Sequence, residues 1–154
     1  MANSYTRLLY HIVFSTKYRK PFFPAEQQEA IWRYIAGIIV NKNGNAIEIG
    51  GTEDHIHILT SCSPTIALSD FIRDVKSNSS RWMHDERRNS LFEWQTGYAA
   101  FTVSHSQHEV VTSYIRTQAE HHRKWSFQAE YRLLLQRHEI AFDEKYLFDI
   151  EFHG

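Results

Sequence analysis

The alternation of strand-like and helix-like segments constrains the fold of this chain more than any other feature of the sequence. Apolar residues recur either at the two-residue spacing of strands or at the three- and four-residue spacing of helices. Strand-like segments lie at 8–16, 46–50, 55–61 and 91–103, and helix-like segments lie at 25–43 and 68–83. This β-α-β-β-α-β order predicts an α+β, ferredoxin-like (split βαβ) antiparallel sheet with its helices on one face.

Two further helical segments follow the last strand. A third helix is predicted over Glu109–Lys124, and a short helix near Gln128–Gln136 precedes an aromatic, acidic end. A chain of 154 residues favours one compact unit. We therefore predict a domain over residues 1–125 that ends in the third helix, with a C-terminal extension over 126–154 packed on the same domain. Because many unrelated functions use such folds, the fold alone does not decide the function.

Composition favours a cytoplasmic protein that makes no contact with membranes. Hydrophobic residues make up 42% of the chain, which is enough for a real core. No apolar run approaches the roughly 20 residues that a membrane helix requires. The first ten residues, MANSYTRLLY, lack the basic start and apolar stretch of a signal peptide. The single cysteine, Cys62, permits no internal disulfide.

The charge of the chain is uneven. A net charge of −1 argues against a uniformly basic, nucleic-acid-binding surface. Basic residues nevertheless cluster in three segments: Lys17, Arg19 and Lys20 in the first, Arg73, Lys76 and Arg81 in the second, and Arg116, Arg123 and Lys124 in the third. Contact with nucleic acid is therefore expected along a local groove, and ordinary solvated charge stays open as the alternative for each cluster.

The tripeptide His55-Ile56-His57 lies inside a predicted strand. Because side chains alternate between the faces of a strand, His55 and His57 point to one side and Ile56 to the other. Two imidazoles at this spacing can chelate one divalent cation. We expect the isoleucine in the core and the histidines on an open face. The tripeptide alone also allows two exposed surface histidines.

Tyr114 and Gln118 are four residues apart on the third predicted helix, so they share one helix face. A tyrosine phenol can attack phosphorus and form a covalent ester. A glutamine carbonyl oxygen can serve as a hard metal ligand. The residues alone also allow a core aromatic at 114 and a solvated amide at 118. No base that would activate a phenol with a pKa of about 10 is evident in the sequence.

Together these segments resemble the single-tyrosine HUH transposases, which move the smallest single-stranded-DNA insertion sequences. GGTEDHIHIL resembles the His-hydrophobe-His motif of that family, and SYIRTQ resembles its Tyr-x-x-x-Gln helix. YHIVFSTKYRKPFF, DFIRDVKSNSSRW and FEWQTGYAAFTVS resemble its first strand and basic loop, its second helix and its last strand. The likeness covers about residues 5–124. The chain beyond Trp125 carries none of the catalytic motif and resembles extensions in the related REP-associated tyrosine transposases.

The resemblance implies a catalytic third helix and a specific chemistry. His55, His57 and Gln118 would bind Mg²⁺ or Mn²⁺, and Tyr114 would attack a DNA phosphate to give a 5′-phosphotyrosine and a free 3′-OH. The implied substrate is single-stranded DNA with hairpins near element ends. The implied assembly is a homodimer in which one subunit can complete the metal site of the other. Candidate contacts to the DNA backbone are Lys17, Arg19, Lys20, Arg73, Lys76 and Arg81.

Several alternatives compete with this interpretation. A histidine-triad nucleotide hydrolase would need a third histidine where Leu59 stands. A two-histidine phosphoesterase would need two separate His-x-Ser/Thr repeats, but His57 is followed by Ile58 and Leu59. A non-catalytic nucleic-acid-binding module on the same fold needs neither a metal nor Tyr114. A host-adopted relative that processes repeated palindromes also stays open. Four further histidines match no common metal-site spacing and are predicted to be solvated or in the core: His105, His108, His121 and His122.

Overall fold

Four strands form one antiparallel sheet in the computed structural model, which describes residues 3–148. The strands are β1 (Leu9–Ser15), β2 (Asn45–Gly51), β3 (His55–Ser61) and β4 (Ala99–Thr102). Their spatial order is β2-β3-β1-β4, and each neighbouring pair is antiparallel. This order is that of a split βαβ unit, so the predicted α+β, ferredoxin-like fold is confirmed. Residues 149–154 of the predicted extension lie outside the described residues.

Helices cover both faces of this sheet. They are α1 (Ala25–Asn41), α2 (Leu68–Asp85), α3 (His108–Arg116), α4 (Gln118–His121), α5 (Phe127–Arg137) and α6 (Glu144–Leu147). The helices α1 and α2 pack on the face that carries Ile12, Phe14, Ile56 and Ile58, in one apolar core. Within residues 3–148, no helix is both long enough and apolar enough to cross a membrane.

The opposite face of the sheet is mixed in character. Val13 and Phe101 form a second apolar cluster there with residues of α5 such as Tyr131. The alternation of β3 places His55 and His57 on this same face, between the sheet and the C-terminal helices. The helices packed on one face, as predicted, are α1 and α2, and the third predicted helix and the extension occupy the other face.

Two predicted elements differ from the structure in their extent. The strand predicted over 91–103 is reduced to β4, because Phe92 and Trp94 are buried in the α1–α2 core and Trp94 makes only an isolated bridge to Thr16. The predicted third helix is divided at Thr117, whose φ of −102° and ψ of 25° are not helical. The division leaves Tyr114 in α3 and Gln118 at the start of α4.

Gly50 allows α3 to approach the sheet beside the histidine pair. A Cβ atom at Gly50 would lie 2.5 Å from the carbonyl oxygen of Ile115, which is closer than any real contact. Gly50 also pairs with His57 across β2 and β3. The missing side chain therefore brings the backbone of α3, and with it Tyr114, close to His57.

Candidate active site

His55 and His57 lie at the centre of the sheet face that the C-terminal helices cover. Both side chains are 0% exposed, and their ring centroids are 5.2 Å apart. The Gln118 side chain contacts His55, and the Glu130 side chain contacts His57. The two histidines therefore share one face, as predicted, but the expectation that this face is open is wrong, because helices close over it.

The contacts of His55 fix which of its ring nitrogens faces the site. Its Nδ1 lies 2.8 Å from a carboxylate oxygen of Asp54 and 2.9 Å from the Thr52 hydroxyl. Burial raises the pKa of Asp54, but the hydrogen bonds with His55 and Thr52 and the charge of His55 together outweigh burial, so the net pKa is lowered and Asp54 is ionised at neutral pH. A carboxylate only accepts, so the proton sits on Nδ1 and the Nε2 lone pair faces the site.

Gln118 presents its amide oxygen to this lone pair. The distance from the His55 Nε2 to the Gln118 Oε1 is 3.0 Å. The amide nitrogen of Gln118 donates to the backbone carbonyl of Tyr114 at 3.4 Å, which keeps the oxygen turned toward the imidazole. Two acceptors at this distance repel each other unless a cation, either a proton or a metal ion, lies between them. Two of the predicted ligands, His55 and Gln118, are therefore in direct contact, and binding of a cation by His55, His57 and Gln118 stays a prediction.

Tyr114 lies beside the predicted ligands in the same chain. Its ring is half-buried, with its centroid 5.7 Å from the ring of His57 and 6.1 Å from that of His11. Its hydroxyl donates a short hydrogen bond to the Oε2 atom of Glu130. A single chain therefore brings the predicted nucleophile and the predicted ligands together.

Two further side chains in the site were not predicted. Glu130, on α5, places its Oε1 2.9 Å from the Nε2 of His57 and 3.1 Å from the Nε2 of His122. One donor atom each from His55, His122 and Glu130 lies within 4.8 Å of the other two, so these three could share one ion. His122, predicted to be solvated or in the core, instead lines the site. Its four-residue spacing from Gln118 was a usable signal, whereas no local pattern marks Glu130.

The carboxylate of Glu130 dominates the electrostatics of the site. Burial raises its pKa, but hydrogen bonds from His122 and His57, together with the charges of His57 and His55, outweigh burial and hold the net pKa well below the usual range. Burial and then the charge of Glu130 raise the pKa of Tyr114. Burial also lowers the pKa of His57. At neutral pH the phenol is therefore protonated, Glu130 is ionised and the His57 ring is neutral.

Comparison with known proteins identifies the family. Residues 4–118 match the family described as "Transposase IS200 like". The chain belongs to this family. The transposase of insertion sequence element IS200 from Salmonella typhimurium is 30% identical over 117 residues, which are 72% of this transposase and 76% of that relative. The ISDra2 transposase TnpA from Deinococcus radiodurans is 26% identical over 118 residues, which are 73% of this chain and 84% of the relative.

Solved structures share the fold of this transposase. A candidate transposase from Deinococcus radiodurans R1 superposes with a TM-score of 0.61 at 22% identity, over 77% of this chain and 95% of its own. A REP-associated tyrosine transposase bound to a REP hairpin superposes with a TM-score of 0.59 at 12% identity, over 82% and 74%. The family match ends at Gln118, so His122 and Glu130 lie outside the matched region.

The first predicted DNA-binding cluster of the transposase lies near this site. Lys17 and Arg19 lie on a short 3-10 turn, and Lys20 follows it. The amide of Thr16 donates to the carbonyl of Asp54 at 2.8 Å, which holds the turn beside the start of β3. This cluster is therefore at the edge of the sheet where His55 begins its strand.

The second predicted cluster lies on α2, on the other side of the sheet. Arg73 pairs with Asp70 at 3.2 Å, and Arg81 is exposed. The ammonium of Lys76 donates to the carbonyl of Gly97 at 2.7 Å, which ties α2 to the loop before β4. Contact with DNA stays a prediction for both clusters.

A cleft of about 310 Å³ opens at the hydroxyl side of Tyr114. Its walls are formed by His121, Trp125, Glu130, Leu133, Leu134 and Arg137. Trp125 is 54% exposed and lies at the solvent end of the cleft, whereas Glu130 is buried at the inner end of the cleft. The cleft therefore connects solvent to the phenol of Tyr114.

Replacing His11 by Asn is expected to flatten the pH dependence of folding. The His11 Nε2 lies 2.8 Å from the Nδ1 of His57, and burial followed by the nearby His57 lowers the pKa of His11 from 6.5 to about 3. The unfolded chain binds a proton at His11 as the pH falls through 6.5, but the folded chain binds it only near 3. Stability present above pH 6.5 is therefore lost as the pH falls, at up to about 1.4 kcal/mol per pH unit, and His11→Asn removes this slope.

Urea unfolding in chelator at about pH 7, 6 and 5 measures the slope. The matched control is His105→Asn, because His105 is exposed on the 3-10 turn before α3 and should keep the slope of the wild-type protein. An unchanged slope in His11→Asn would contradict the assignment of this proton uptake to His11.

Proposed function

We propose that this transposase cleaves and rejoins single-stranded DNA at hairpin-marked element ends, with Tyr114 as the nucleophile. His55, His57 and Gln118 would hold Mg²⁺ or Mn²⁺ beside the scissile phosphate. The observation that carries the proposal is the convergence, in one chain, of the Tyr114 phenol with a buried imidazole pair and an amide oxygen. Membership of a transposase family supports the same reaction class.

The proposed step exchanges one phosphodiester bond for another. The Tyr114 oxygen forms a bond to phosphorus, the bond from phosphorus to the 3′ oxygen breaks, and the phenol proton ends on the leaving 3′ oxygen. The products are a 5′-phosphotyrosine and a free 3′-OH. That 3′-OH, or one from another strand, reverses the reaction. Because the ester preserves the bond energy, rejoining needs no ATP.

A bound cation and the neighbours of the predicted ligands and of Tyr114 would orient the reacting groups. A bound cation would polarise the scissile phosphate and offset the charge that develops on it. Asp54 fixes the proton of His55 on Nδ1. With the cation bound, the proton of the neutral His57 ring would lie on Nδ1, where His11 can accept it, so the Nε2 atoms of both residues would be available to the cation. Glu130 accepts the hydrogen bond of the Tyr114 hydroxyl and holds that oxygen at the inner end of the cleft.

The DNA strand would reach Tyr114 through this cleft. A base can stack on the exposed ring of Trp125, and the guanidinium of Arg137 can contact a phosphate. The basic turn at Lys17–Arg19 lies near the start of β3 and suits a contact to the backbone of a hairpin stem. A REP hairpin bound to a structural relative supports a hairpin substrate by analogy.

The proposal also includes that the protein forms a homodimer and is located in the cytoplasm. Tyr114 already contacts the histidine cluster of its own chain. A second subunit would therefore serve to hold two DNA ends at once, rather than to supply a missing group.

Trapping of a covalent DNA adduct tests the proposal. A hairpin oligonucleotide from the DNA flanking the gene is incubated with the protein in Mg²⁺ or Mn²⁺ and run on a denaturing gel. A 3′ label should migrate with the protein, whereas a 5′ label should leave as a shorter free strand. EDTA should stop both changes, because the phenol is protonated at neutral pH and needs assistance.

The same gel separates the proposal from its rivals. Hairpin binding without an adduct, unaffected by chelator, would indicate a non-catalytic binding module. Full cleavage in EDTA would refute the role of the metal.

A further inference from the structure

We propose that Glu130, supplied by the C-terminal extension, is a ligand of the divalent cation and the residue that positions the Tyr114 hydroxyl. This inference rests on the proposed function, since it concerns the same cation and the same nucleophile. It adds to the site a residue that lies outside the region matched to the transposase family.

The distances around Glu130 are those of a coordination shell. In an octahedral shell with bonds of about 2.1 Å, adjacent donor atoms lie about 3.0 Å apart. The Oε1 of Glu130 lies 2.9 Å from the Nε2 of His57, 3.1 Å from that of His122 and 3.6 Å from that of His55. The oxygen of Gln118 lies 3.0 Å from His55 and 3.1 Å from His122. One donor atom each from His55, His122 and Glu130 lies within 4.8 Å of the other two, and the Gln118 oxygen contacts both imidazoles, so these four residues could share one ion, with the Nε2 of His57 beside Glu130.

Hydrogen bonds from His122 and His57 reach Glu130, and His122 also contacts Gln118, but these bonds do not account for the approach of His55 to the same oxygens. Because Asp54 holds the His55 proton on Nδ1, the Nε2 of a neutral His55 points a lone pair at the oxygens of Gln118 and Glu130. Three acceptors facing one another repel, and a cation between them removes the repulsion. This arrangement is at the buried end of the site, where water screens it little.

Glu130 supplies the negative charge that the predicted ligands lack. His55, His57 and Gln118 are all neutral donors, whereas Mg²⁺ and Mn²⁺ favour carboxylate oxygens. Glu130 is 5% exposed, so little water competes for its charge. A negative oxygen in the cluster would therefore raise the affinity of the site for a divalent ion more than any of the neutral donors.

The second oxygen of Glu130 faces the nucleophile. The Tyr114 hydroxyl donates to Oε2, while Oε1 faces the imidazoles. One carboxylate therefore sets the distance between the phenol and the ligand cluster. Apolar packing holds α5 in place, since Phe127 and Tyr131 pack with Val13 and Phe101 of the sheet. The position of the carboxylate is thus fixed by a rigid element.

Titration of the full-length protein with Mn²⁺ tests the ligand role. Glu130→Gln keeps the shape of the side chain and removes its charge, and it should weaken Mn²⁺ binding in calorimetry by about tenfold or more. The matched control is Glu144→Gln, because Glu144 lies in the same extension and pairs with Arg132 on the surface. Mn²⁺ affinity in Glu130→Gln equal to that of the wild type would overturn the proposal.

The positioning role has its own readout. At saturating DNA and Mn²⁺, Glu130→Gln should slow single-turnover adduct formation while hairpin affinity stays that of the wild type. An equal single-turnover rate would overturn this half of the proposal. If Glu130→Gln does not fold, anomalous diffraction from wild-type crystals soaked in Mn²⁺ decides the ligand role. An ion bonded to Glu130 supports it, and an ion bonded to His55, His57 and Gln118 alone overturns it.

The two proposals fail in distinguishable ways. If the wild-type protein forms no DNA adduct, the proposed function is wrong, yet the Mn²⁺ titration still decides whether Glu130 is a ligand. If the wild type forms the adduct and Glu130→Gln matches it in both Mn²⁺ affinity and rate, only the inference about Glu130 is wrong.

Discussion

Tyr114→Phe is expected to abolish covalent capture of DNA while hairpin binding stays nearly intact. The substitution removes only the oxygen that would attack phosphorus, and the half-buried ring keeps its place beside His57. Because no other group replaces the missing oxygen, the adduct should disappear rather than form more slowly. The same change takes one hydrogen bond from Glu130, which keeps those from His57 and His122. Folding should therefore be destabilised by only about 1 kcal/mol.

Two assays measure this prediction. Denaturing gels with a 3′-labelled hairpin report the adduct, and native gels report binding of the same hairpin. Tyr98→Phe is the matched control, because Tyr98 is 38% exposed and its ring lies 5.9 Å from the Lys76 ammonium, away from the histidines. An adduct in Tyr114→Phe would move the nucleophile elsewhere. Tyr98 is then the first candidate, since Tyr131 is 4% exposed and burial raises its pKa to about 12.

The order of the elements was predictable because local patterns carry it. Strand alternation in β1 and β3, and the helical spacing of apolar residues in α1 and α2, are properties of short segments. The strand predicted over 91–103 was too long because Phe92 and Trp94 belong to a loop whose side chains pack in the core, and not to a strand. An apolar residue looks the same in a sequence whether it belongs to a ladder or to a loop.

The predicted half of the candidate site rests on two local rules. Alternation places His55 and His57 on one face, and the spacing of four places Tyr114 and Gln118 on another. The meeting of the two faces is a tertiary event, and the family resemblance rather than any spacing led to its expectation. It depends in part on Gly50, which admits the backbone of α3 beside β2.

The rest of the site could not be read from local patterns. Glu130 lies 73 residues from His57 in the chain, and only the packing of α5 on the sheet brings the two together. The expectation of an open histidine face failed for the same reason, because the covering helices come from the distant C-terminal segment. The place of His122 in the site could have been predicted, because residues 114, 118 and 122 have the spacing of one helical face, although Thr117 interrupts the helix between them.

His55→Ala is expected to remove most of the metal-dependent activity of the protein. The Nε2 of His55 faces Gln118 at 3.0 Å and shares a cluster of donors with His122 and Glu130. Without it, the transition-state charge on the phosphate loses a well-held cation, so cleavage should fall on the order of 10²- to 10³-fold. Asp54 does not replace the lost donor atom, because it contacts the Nδ1 side of the His55 ring, away from Nε2.

Thermal unfolding separates a lost ligand from a lost fold. At a Mn²⁺ concentration about 100 times the dissociation constant, binding adds about 2.7 kcal/mol to the stability of the wild-type protein. His55→Ala should lose most of this gain while still unfolding cooperatively in EDTA, at a lower temperature because a fully buried ring has been removed. His105→Ala, which changes an exposed histidine away from the cluster, should keep both the Mn²⁺ gain and the cleavage rate. Wild-type Mn²⁺ stabilisation in His55→Ala would place the cation elsewhere, and the assignment of the β3 histidines as its ligands would be wrong.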